Sequence, residues 1–261
     1  MNILMIGDIV GSSGRNAVRK LTSQIVKEYS IDLTIANGEN AAGGNGITKE
    51  IMDELIEAGI DFLTMGNHVW DKKEILTFID ETEKLIRPAN YPPGTPGSGY
   101  KILVAANGDK LGVVSLSGRI FLSTLDCPFT MVDKIINHIK QTTPNILIDF
   151  HAEATSEKIA FGWFVDGRVS AVCGTHTHVQ TADARILPKG TAYITDVGMT
   201  GPRDSVLGIK KEIVINKFLT HLPARFEVAT GIAQLNAVVI SIDSNTGKAQ
   251  EIISMQKFIE N

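Results

Sequence analysis

The sequence has 261 residues, of which 43% are hydrophobic and 21% are charged, a composition that supports a sizeable core and excludes a disordered chain. Its net charge of −4 argues against a surface that follows long nucleic acid or an anionic membrane. The two cysteines form no CxxC motif, no 18-residue apolar run occurs, and the first residues lack the basic start of a signal peptide. We therefore expect a cytoplasmic protein without membrane spans or a disulfide scaffold.

The first half of the chain predicts an alternation of strands and helices. Short apolar runs typical of strands buried on both faces occur at residues 2–6, 31–36 and 61–65. Helices are predicted at residues 12–29, 48–59 and from 71 onward. Ser12 or Ser13, Thr48 and Asp71 are the predicted N-caps. This alternation predicts a parallel sheet with covering helices.

Polar side chains follow each of the three predicted strands. Asp8 comes after the first, Glu39 and Asn40 after the second, and Asn67 and His68 after the third. Because the carboxyl ends of strands form the ligand crevice of open α/β sheets, we expect these side chains to meet at one edge.

The second half predicts more strands, several of them antiparallel. A segment rich in proline and glycine at residues 86–99 interrupts the alternation, and Asn107-Gly108 predicts a hairpin. Further strands are predicted at 145–150 and 168–173, a hairpin at 184–195, and helices at 129–141, 156–165 and 210–219. Residues 196–207 are predicted to be a loop, and the last 36 residues a pair of antiparallel strands. We expect one domain with two packed sheets, spanning residues 1–261.

Three more histidines follow predicted strands of the second half: His151, His176 and His178. The motifs of other chemistries are absent, since the chain has no GxxxxGK[ST], no GxSxG and no HExxH, and the glycines of residues 7–14 fail the GxGxxG spacing. Imidazole, carboxylate and amide side chains together are typical ligands of Fe, Mn or Zn.

The number of candidate ligands favours two metal ions. One catalytic zinc takes three protein ligands, so the set is too large for a single ion. Two ions sharing a carboxylate would use it, would leave the site cationic, and would activate a bridging water as hydroxide. Hydrolysis of a phosphate ester by in-line attack is the reaction that gains most from such a site.

The motifs at these strand ends carry a family resemblance. The segments GDIVG, NGEN, GNHVWD, DFHAEATSEK, GTHTHVQTAD and TDVGMTGP stand at residues 7–11, 37–40, 66–71, 149–158, 174–183 and 195–202. In this order they resemble the bacterial YmdB-like phosphodiesterases of the calcineurin-type metallophosphoesterase superfamily. The chain departs from the superfamily pattern at Val10, where a histidine is usual, at Glu39, where an aspartate is usual, and at Thr175, which is an extra residue.

The resemblance implies a four-layer α/β-β/α sandwich of two mixed sheets flanked by helices, and a centre of two metal ions, iron first, with manganese or zinc as alternatives. One ion would be held by Asp8, Glu39, Asn40 and His178. The other would be held by Glu39, Asn67, His151 and His176. His68 would act as general acid and protonate the leaving ribose oxygen, a role typically worth 10²–10⁴-fold in rate.

The implied substrate is a small 2′,3′-cyclic nucleotide such as 2′,3′-cAMP, attacked by a metal-bridging hydroxide. The resemblance also suggests a homo-oligomer, whereas membrane and long nucleic acid are not expected as partners. Two alternatives stay open at this point. The same site could act on another phosphoester, such as a phosphoprotein, a phospholipid or an RNA end, or the chain could be a non-enzymatic regulator that senses nucleotides through its metals. Five cationic residues are candidates for binding phosphate: Arg119, Arg168, Arg185, Lys189 and Arg203.

Overall fold

The computed structural model of the protein describes residues 1–259. The strands are β1 Asn2–Ile6, β2 Asp8–Ile9, β3 Leu33–Asn37, β4 Phe62–Thr64, β5 Leu85–Ile86, β6 Tyr100–Val104, β7 Lys110–Ser117, β8 Ile146–His151, β9 Ala171–Thr175, β10 Arg185–Ile186, β11 Ala192–Ile194, β12 Met199–Pro202, β13 Ala233–Ile242 and β14 Ala249–Ile259. The α-helices are α1 Gly11–Glu28, α2 Lys49–Glu57, α3 Pro128–Ile139, α4 Thr155–Val165 and α5 Lys211–Thr220.

The first sheet has the order β2-β12-β13-β1-β3-β4-β5, with β14 paired to β13. Strands β1, β3, β4 and β5 are parallel, as the strand–helix alternation predicts. Strand β13, from the end of the chain, lies antiparallel to β1 and also pairs with β12. The sheet is therefore mixed.

The second sheet has the order β10-β11-β9-β8-β7-β6. Its inner strands β7, β8, β9 and β11 are parallel, and β6 and β10 pair antiparallel at its two edges. The hairpins predicted around residues 107–108 and 184–195 are thus confirmed as the β6–β7 and β10–β11 pairs.

Alternate residues of the strands face two different cores. Ile3 and Met5 of β1 face the core between the sheets, where they join Leu147 of β8. Leu4 and Ile6 face the opposite way and pack with the buried sides of α1 and α2. Because successive side chains of a strand point to opposite faces, one apolar run serves both cores.

Helices α3 and α4 cover the outer face of the second sheet in the same way, through a third core that contains Phe150 and Phe161. Their rings stack with centroids 4.2 Å apart. The layers are helices, sheet, sheet and helices, so the predicted four-layer sandwich is confirmed.

Two predicted helix starts are wrong. Helix α1 begins at Gly11, and its N-cap Val10 makes no side-chain cap, so neither Ser12 nor Ser13 caps it. The carbonyl of Asn40 accepts the Gly11 N–H at 3.0 Å instead. Asp71 does not open an α-helix, and a short 3₁₀ helix at Lys73–Thr77 follows it.

The predicted loop at residues 196–207 is also wrong in part, because it contains β12. This strand pairs parallel with β2, matching Met199 to Asp8. By contrast, Thr48 caps α2 as predicted, with its side chain accepting the Ile51 N–H. Both cysteines are free thiols. Within residues 1–259 no helix has the length and apolar character needed to cross a membrane.

Candidate metal centre

The predicted site residues lie in or after strands of both sheets, and they meet at one end of the sandwich. Asp8 is in β2, and the pairs Glu39-Asn40 and Asn67-His68 follow β3 and β4 of the first sheet. His151 is the last residue of β8, and His176 and His178 follow β9 of the second sheet. The fold thus collects all these side chains from positions spread between residues 8 and 178.

Three of these side chains converge on one ring nitrogen of a fourth, His151. Nε2 of His151 lies 3.0 Å from Oε1 of Glu39, 3.0 Å from Oδ1 of Asn67 and 3.0 Å from Nδ1 of His176. Gly66 makes this approach possible, because a Cβ there would lie 2.3 Å from Cδ2 of His151 and 2.4 Å from Oε2 of Glu39. A side chain at residue 66 would therefore push the cluster apart.

A second group adjoins the first through Glu39. Nδ2 of Asn40 lies 3.4 Å from Oε1 of Glu39 and 3.2 Å from Nε2 of His178. Asp8 is buried, and its Oδ2 accepts the backbone N–H of His176 at 3.1 Å. Its Oδ1 is buried without a hydrogen-bond partner among residues 1–259. A metal ion would bind the amide oxygen of Asn40 rather than Nδ2. Rotation of the side-chain amide by about 180° exchanges these two atoms and places the oxygen beside Glu39 and His178.

A chain of buried hydrogen bonds supports His151 from outside the cluster. Nδ1 of His151 lies 2.8 Å from Oγ1 of Thr175, and that hydroxyl donates to Oδ1 of Asp149 at 2.6 Å. Oδ2 of Asp149 accepts from Oγ1 of Thr64 at 2.5 Å and from Nδ2 of Asn37 at 3.0 Å. Because the threonine proton points to the carboxylate, its oxygen is free to accept Nδ1–H of His151.

Outer partners orient the other two imidazoles in the same sense. Nε2 of His176 lies 2.9 Å from Oε2 of Glu153, and Nδ1 of His178 lies 3.0 Å from the carbonyl oxygen of Leu207. Both partners accept hydrogen bonds, so the proton of each ring is on its outer nitrogen and a lone pair faces inward.

The turn that carries His176 and His178 is strained. Their φ angles are +102° and +66°, a region that costs side-chain-bearing residues about 1–3 kcal/mol each. Asp196 holds the turn by accepting the Thr177 N–H at 3.0 Å. Lys158, which is buried, bridges Asp196 and the carbonyl of Thr175, each at 2.6 Å.

His68 stands at the rim of the cluster. Its backbone N–H donates to Oε2 of Glu39 at 3.0 Å, and its ring Nδ1 lies 2.8 Å from Oδ2 of Asp71. The same carboxylate oxygen accepts from Nδ2 of Asn45 at 3.1 Å. Asp71 is thus engaged with two side chains, which explains why it does not cap a helix.

The charges of the cluster are strongly coupled. Burial alone would raise the pKa of Glu39, but the charge and hydrogen bond of His151 lower it to about 2. Burial would lower the pKa of His151, and Glu39 raises it to about 9. Burial raises the pKa of Asp8 to about 6, and burial together with His151 lowers the pKa of His176 to about 3. These shifts favour a protonated His151 beside Glu39 and a neutral His176.

The donor set fits a metal. Three acceptor atoms surround Nε2 of His151, and a single N–H on this nitrogen can be directed at only one of them. A metal cation bound among these atoms and Nε2 would interact with all of them. One ligand atom from each of Glu39, His151 and His176 lies within 4.8 Å of the others. The unpartnered Oδ1 of Asp8 and the inward lone pairs of His176 and His178 point to the same conclusion.

The cluster opens into a cavity of about 540 Å³. Its polar side includes Glu39, Asn40, His68, His176 and His178. None of the five cationic residues considered as phosphate ligands lines it within the described part of the chain. Positive charge at this site would therefore come from bound metal.

Comparison with known proteins identifies the family. A family model described as "YmdB-like protein" matches residues 4–255. This chain belongs to the YmdB-like family. A 2′,3′-cyclic-nucleotide 2′-phosphodiesterase of Bacillus subtilis (strain 168) is 58% identical over 252 residues, which cover 97% of this chain and 95% of the relative.

Two solved structures show the same fold. A hypothetical protein from Thermus thermophilus is 43% identical with a TM-score of 0.91, and the match covers 100% of this chain and 99% of the other. A structure named a novel phosphatase, from Mycoplasma pneumoniae, is 36% identical with a TM-score of 0.93, covering 100% and 94%. The YmdB-like membership expected from the motifs is therefore confirmed.

The sequence interpretation missed the residues that orient the cluster from outside. Glu153 and Lys158 stand inside the DFHAEATSEK motif and Asp196 inside TDVGMTGP, so the length of these motifs was the available signal. Thr175 stood out only as an extra residue, yet its hydroxyl contacts His151. The carbonyl of Leu207 belongs to no motif and gave no signal.

Proposed function

We propose that this protein is a metal-dependent phosphodiesterase that hydrolyses 2′,3′-cyclic nucleotides. The observation that carries the proposal is the set of ligand atoms that meet around Nε2 of His151, with the rings of His151 and His176 oriented by outer partners. The identity of 58% to a relative named a 2′,3′-cyclic-nucleotide 2′-phosphodiesterase supports the substrate class.

We assign one ion to Asp8, Glu39, Asn40 and His178, and the other to Glu39, Asn67, His151 and His176. Two bound ions would activate a water for in-line attack and neutralise charge on the phosphoryl oxygens. The distances around His151 support the second set, and the contact of Asn40 with both Glu39 and His178 supports the first. Because Glu39 raises the pKa of His151, a metal ion would compete with a proton for Nε2.

We assign the general acid to His68, which lines the cavity. The carboxylate of Asp71 accepts from Nδ1, so the second ring nitrogen, Nε2, can carry a proton toward the cavity. The departing ribose oxygen is strongly basic, so a positioned acid accelerates its release.

Removing and restoring metal tests the proposal as a whole. We expect chelated protein to lose turnover of 2′,3′-cAMP and to regain it on addition of Mn²⁺ or Fe²⁺, with about two ions bound per chain. The same preparations are assayed on a phosphoserine peptide and on RNA with a terminal phosphate. Full activity after exhaustive chelation, or turnover confined to those other substrates, would contradict the proposal.

We further propose that the chain acts as one domain, because the core between the sheets joins residues from both halves, including Met5 and Cys173. The predicted domain extends to residue 261, and its last two positions lie outside the described residues.

Metal analysis of protein purified without chelator decides among iron, manganese and zinc.

The Asp149–Thr175–His151 chain gives a prediction on metal affinity. We expect Thr175→Val to weaken Mn²⁺ binding about 10–100-fold, because Nδ1 of His151 loses its acceptor and the ring its orientation. Titration of metal-stripped protein with Mn²⁺ measures this effect. Thr175→Ser keeps the hydroxyl and should keep the affinity.

Thr64→Val is the matched control. The hydroxyl of Thr64 also donates to Asp149, but to Oδ2 rather than Oδ1, and its other contact is the carbonyl oxygen of Ala36. An equal loss of Mn²⁺ affinity in both valine variants would mean that the effect comes from Asp149 itself rather than from the orientation of His151.

A further inference from the structure

We propose that the apolar wall of the cavity, formed by Leu207, Ile209 and Phe226, is a nucleobase subsite. These three apolar side chains line the same cavity as Glu39 and His178. The inference rests on the proposed cyclic-nucleotide activity and names the part of the substrate that this wall recognises.

The wall exposes apolar surface inside a polar site. Leu207 is 49% exposed and Phe226 is 47% exposed, although both border a concave cavity. Apolar surface that is left open in such a place is typical of a ligand contact.

The charge of the lining indicates what the wall can bind. Among the described residues no lysine or arginine lines this cavity. Metal ions held by the candidate ligands would attract one phosphate, but the lining offers no lysine or arginine for another phosphate of a longer chain. A flat, uncharged group fits the remaining space, and a base stacked on an aromatic ring is such a contact.

Hydrogen bonds tie the wall to the ligand cluster. The carbonyl of Leu207 accepts Nδ1–H of His178 at 3.0 Å, and Leu207 adopts a φ of +53°. The apolar wall and the ligand cluster are therefore direct neighbours through Leu207. A nucleotide carries its base and its cyclic phosphate on one ribose, so it can contact both at once.

Phe226 is held in place by its neighbours. Ile209 pairs by an isolated bridge with Val228, and the Lys210 N–H donates to the carbonyl of Glu227 at 2.9 Å. These bonds fasten the segment of Phe226 to the segment of Leu207. Nζ of Lys217 lies 4.5 Å from the centroid of the Phe226 ring, a cation–π contact that restrains the ring.

Substrates with and without a base test the subsite. We expect Phe226→Ala to lower kcat/KM for 2′,3′-cAMP about 10-fold or more, mainly through KM, and to leave the 2′,3′-cyclic phosphate of methyl riboside unchanged. Phe226→Trp should retain the activity on 2′,3′-cAMP. Phe218→Ala is the control, because Phe218 is 75% exposed and shares a smaller cavity with Phe226 but does not line the metal-facing one.

A binding measurement separates the subsite from the catalytic proposal. Calorimetry of the metal-loaded protein should show 3′-AMP binding at least about 10-fold more tightly than ribose 3-phosphate, and Phe226→Ala should remove that difference. Equal binding of the two ligands by the wild-type protein, or equal losses on both substrates in Phe226→Ala, would overturn the subsite. Absence of turnover of either cyclic phosphate by wild-type protein would instead overturn the proposed function.

Discussion

His68→Ala is expected to lower turnover of 2′,3′-cAMP by about 10²-fold or more while both metal ions stay bound. The reason is that, in the proposed role, the ring would donate to the leaving oxygen and would hold neither metal ion. Steady-state kinetics and metal analysis of the same preparation measure both quantities.

The leaving group offers a sharper test of His68. A diester with p-nitrophenolate as leaving group needs little protonation, so His68→Ala should lose much less activity on bis-p-nitrophenyl phosphate than on 2′,3′-cAMP. His138→Ala is the matched control, since His138 is exposed and its ring contacts Tyr100. Loss of metal from His68→Ala, or equal losses on both substrates, would show that His68 has another role.

Glu39→Gln is expected to release metal and to lower turnover by more than about 100-fold. This loss is larger than the loss of about 10–100-fold that follows mutation of a residue that only orients a ligand. Glu39 touches both groups of candidate ligands, through Nε2 of His151 at 3.0 Å and Nδ2 of Asn40 at 3.4 Å. The amide keeps the size of the side chain and removes its negative charge. Metal content after dialysis against Mn²⁺ measures the loss.

Glu157→Gln is the control for loss of a buried carboxylate. Glu157 is 9% exposed and accepts backbone N–H groups of Arg119 and Ile120 away from the cluster. We expect this variant to be less stable to heat but to bind metal fully. A Glu39→Gln protein that keeps two ions per chain would contradict the assignment of Glu39 as the shared ligand.

Sequence periodicity and strand-end polarity were sufficient to predict that the candidate ligands share one edge of a sheet. Asp8, Glu39 and His151 could be found because buried parallel strands read as short apolar runs, and the residues after them share an edge. The packing of two sheets in one domain was also expected from the strand pattern, whereas the four-layer arrangement came from the family resemblance, since no local pattern specifies which strand ends face each other.

Features that depend on long-range partners could not be read from the sequence. β12 has glycine and proline in four residues and becomes a strand only because β2 and β13 flank it. Asp71 is a residue type that often caps helices, but its carboxylate binds Asn45 from another loop as well as His68 in its own loop. The partners of His178 and Thr175 depend in the same way on backbone positions set by the whole fold.

The place of β13 in the middle of the first sheet determines when the centre can form during synthesis. Asp8 is joined to the sheet through β12, and β12 is joined to it through residues 233 and 234 of β13. The Gly7 N–H also donates to the carbonyl of Asn236. While β13 is still inside the ribosome, β12 has no partner in β13, and Asp8 therefore lacks the strand pairing that holds it in the finished fold. If Asp8 holds a metal ion as proposed, we expect metal capture to follow the release of β13, although Asp8 is among the first residues made.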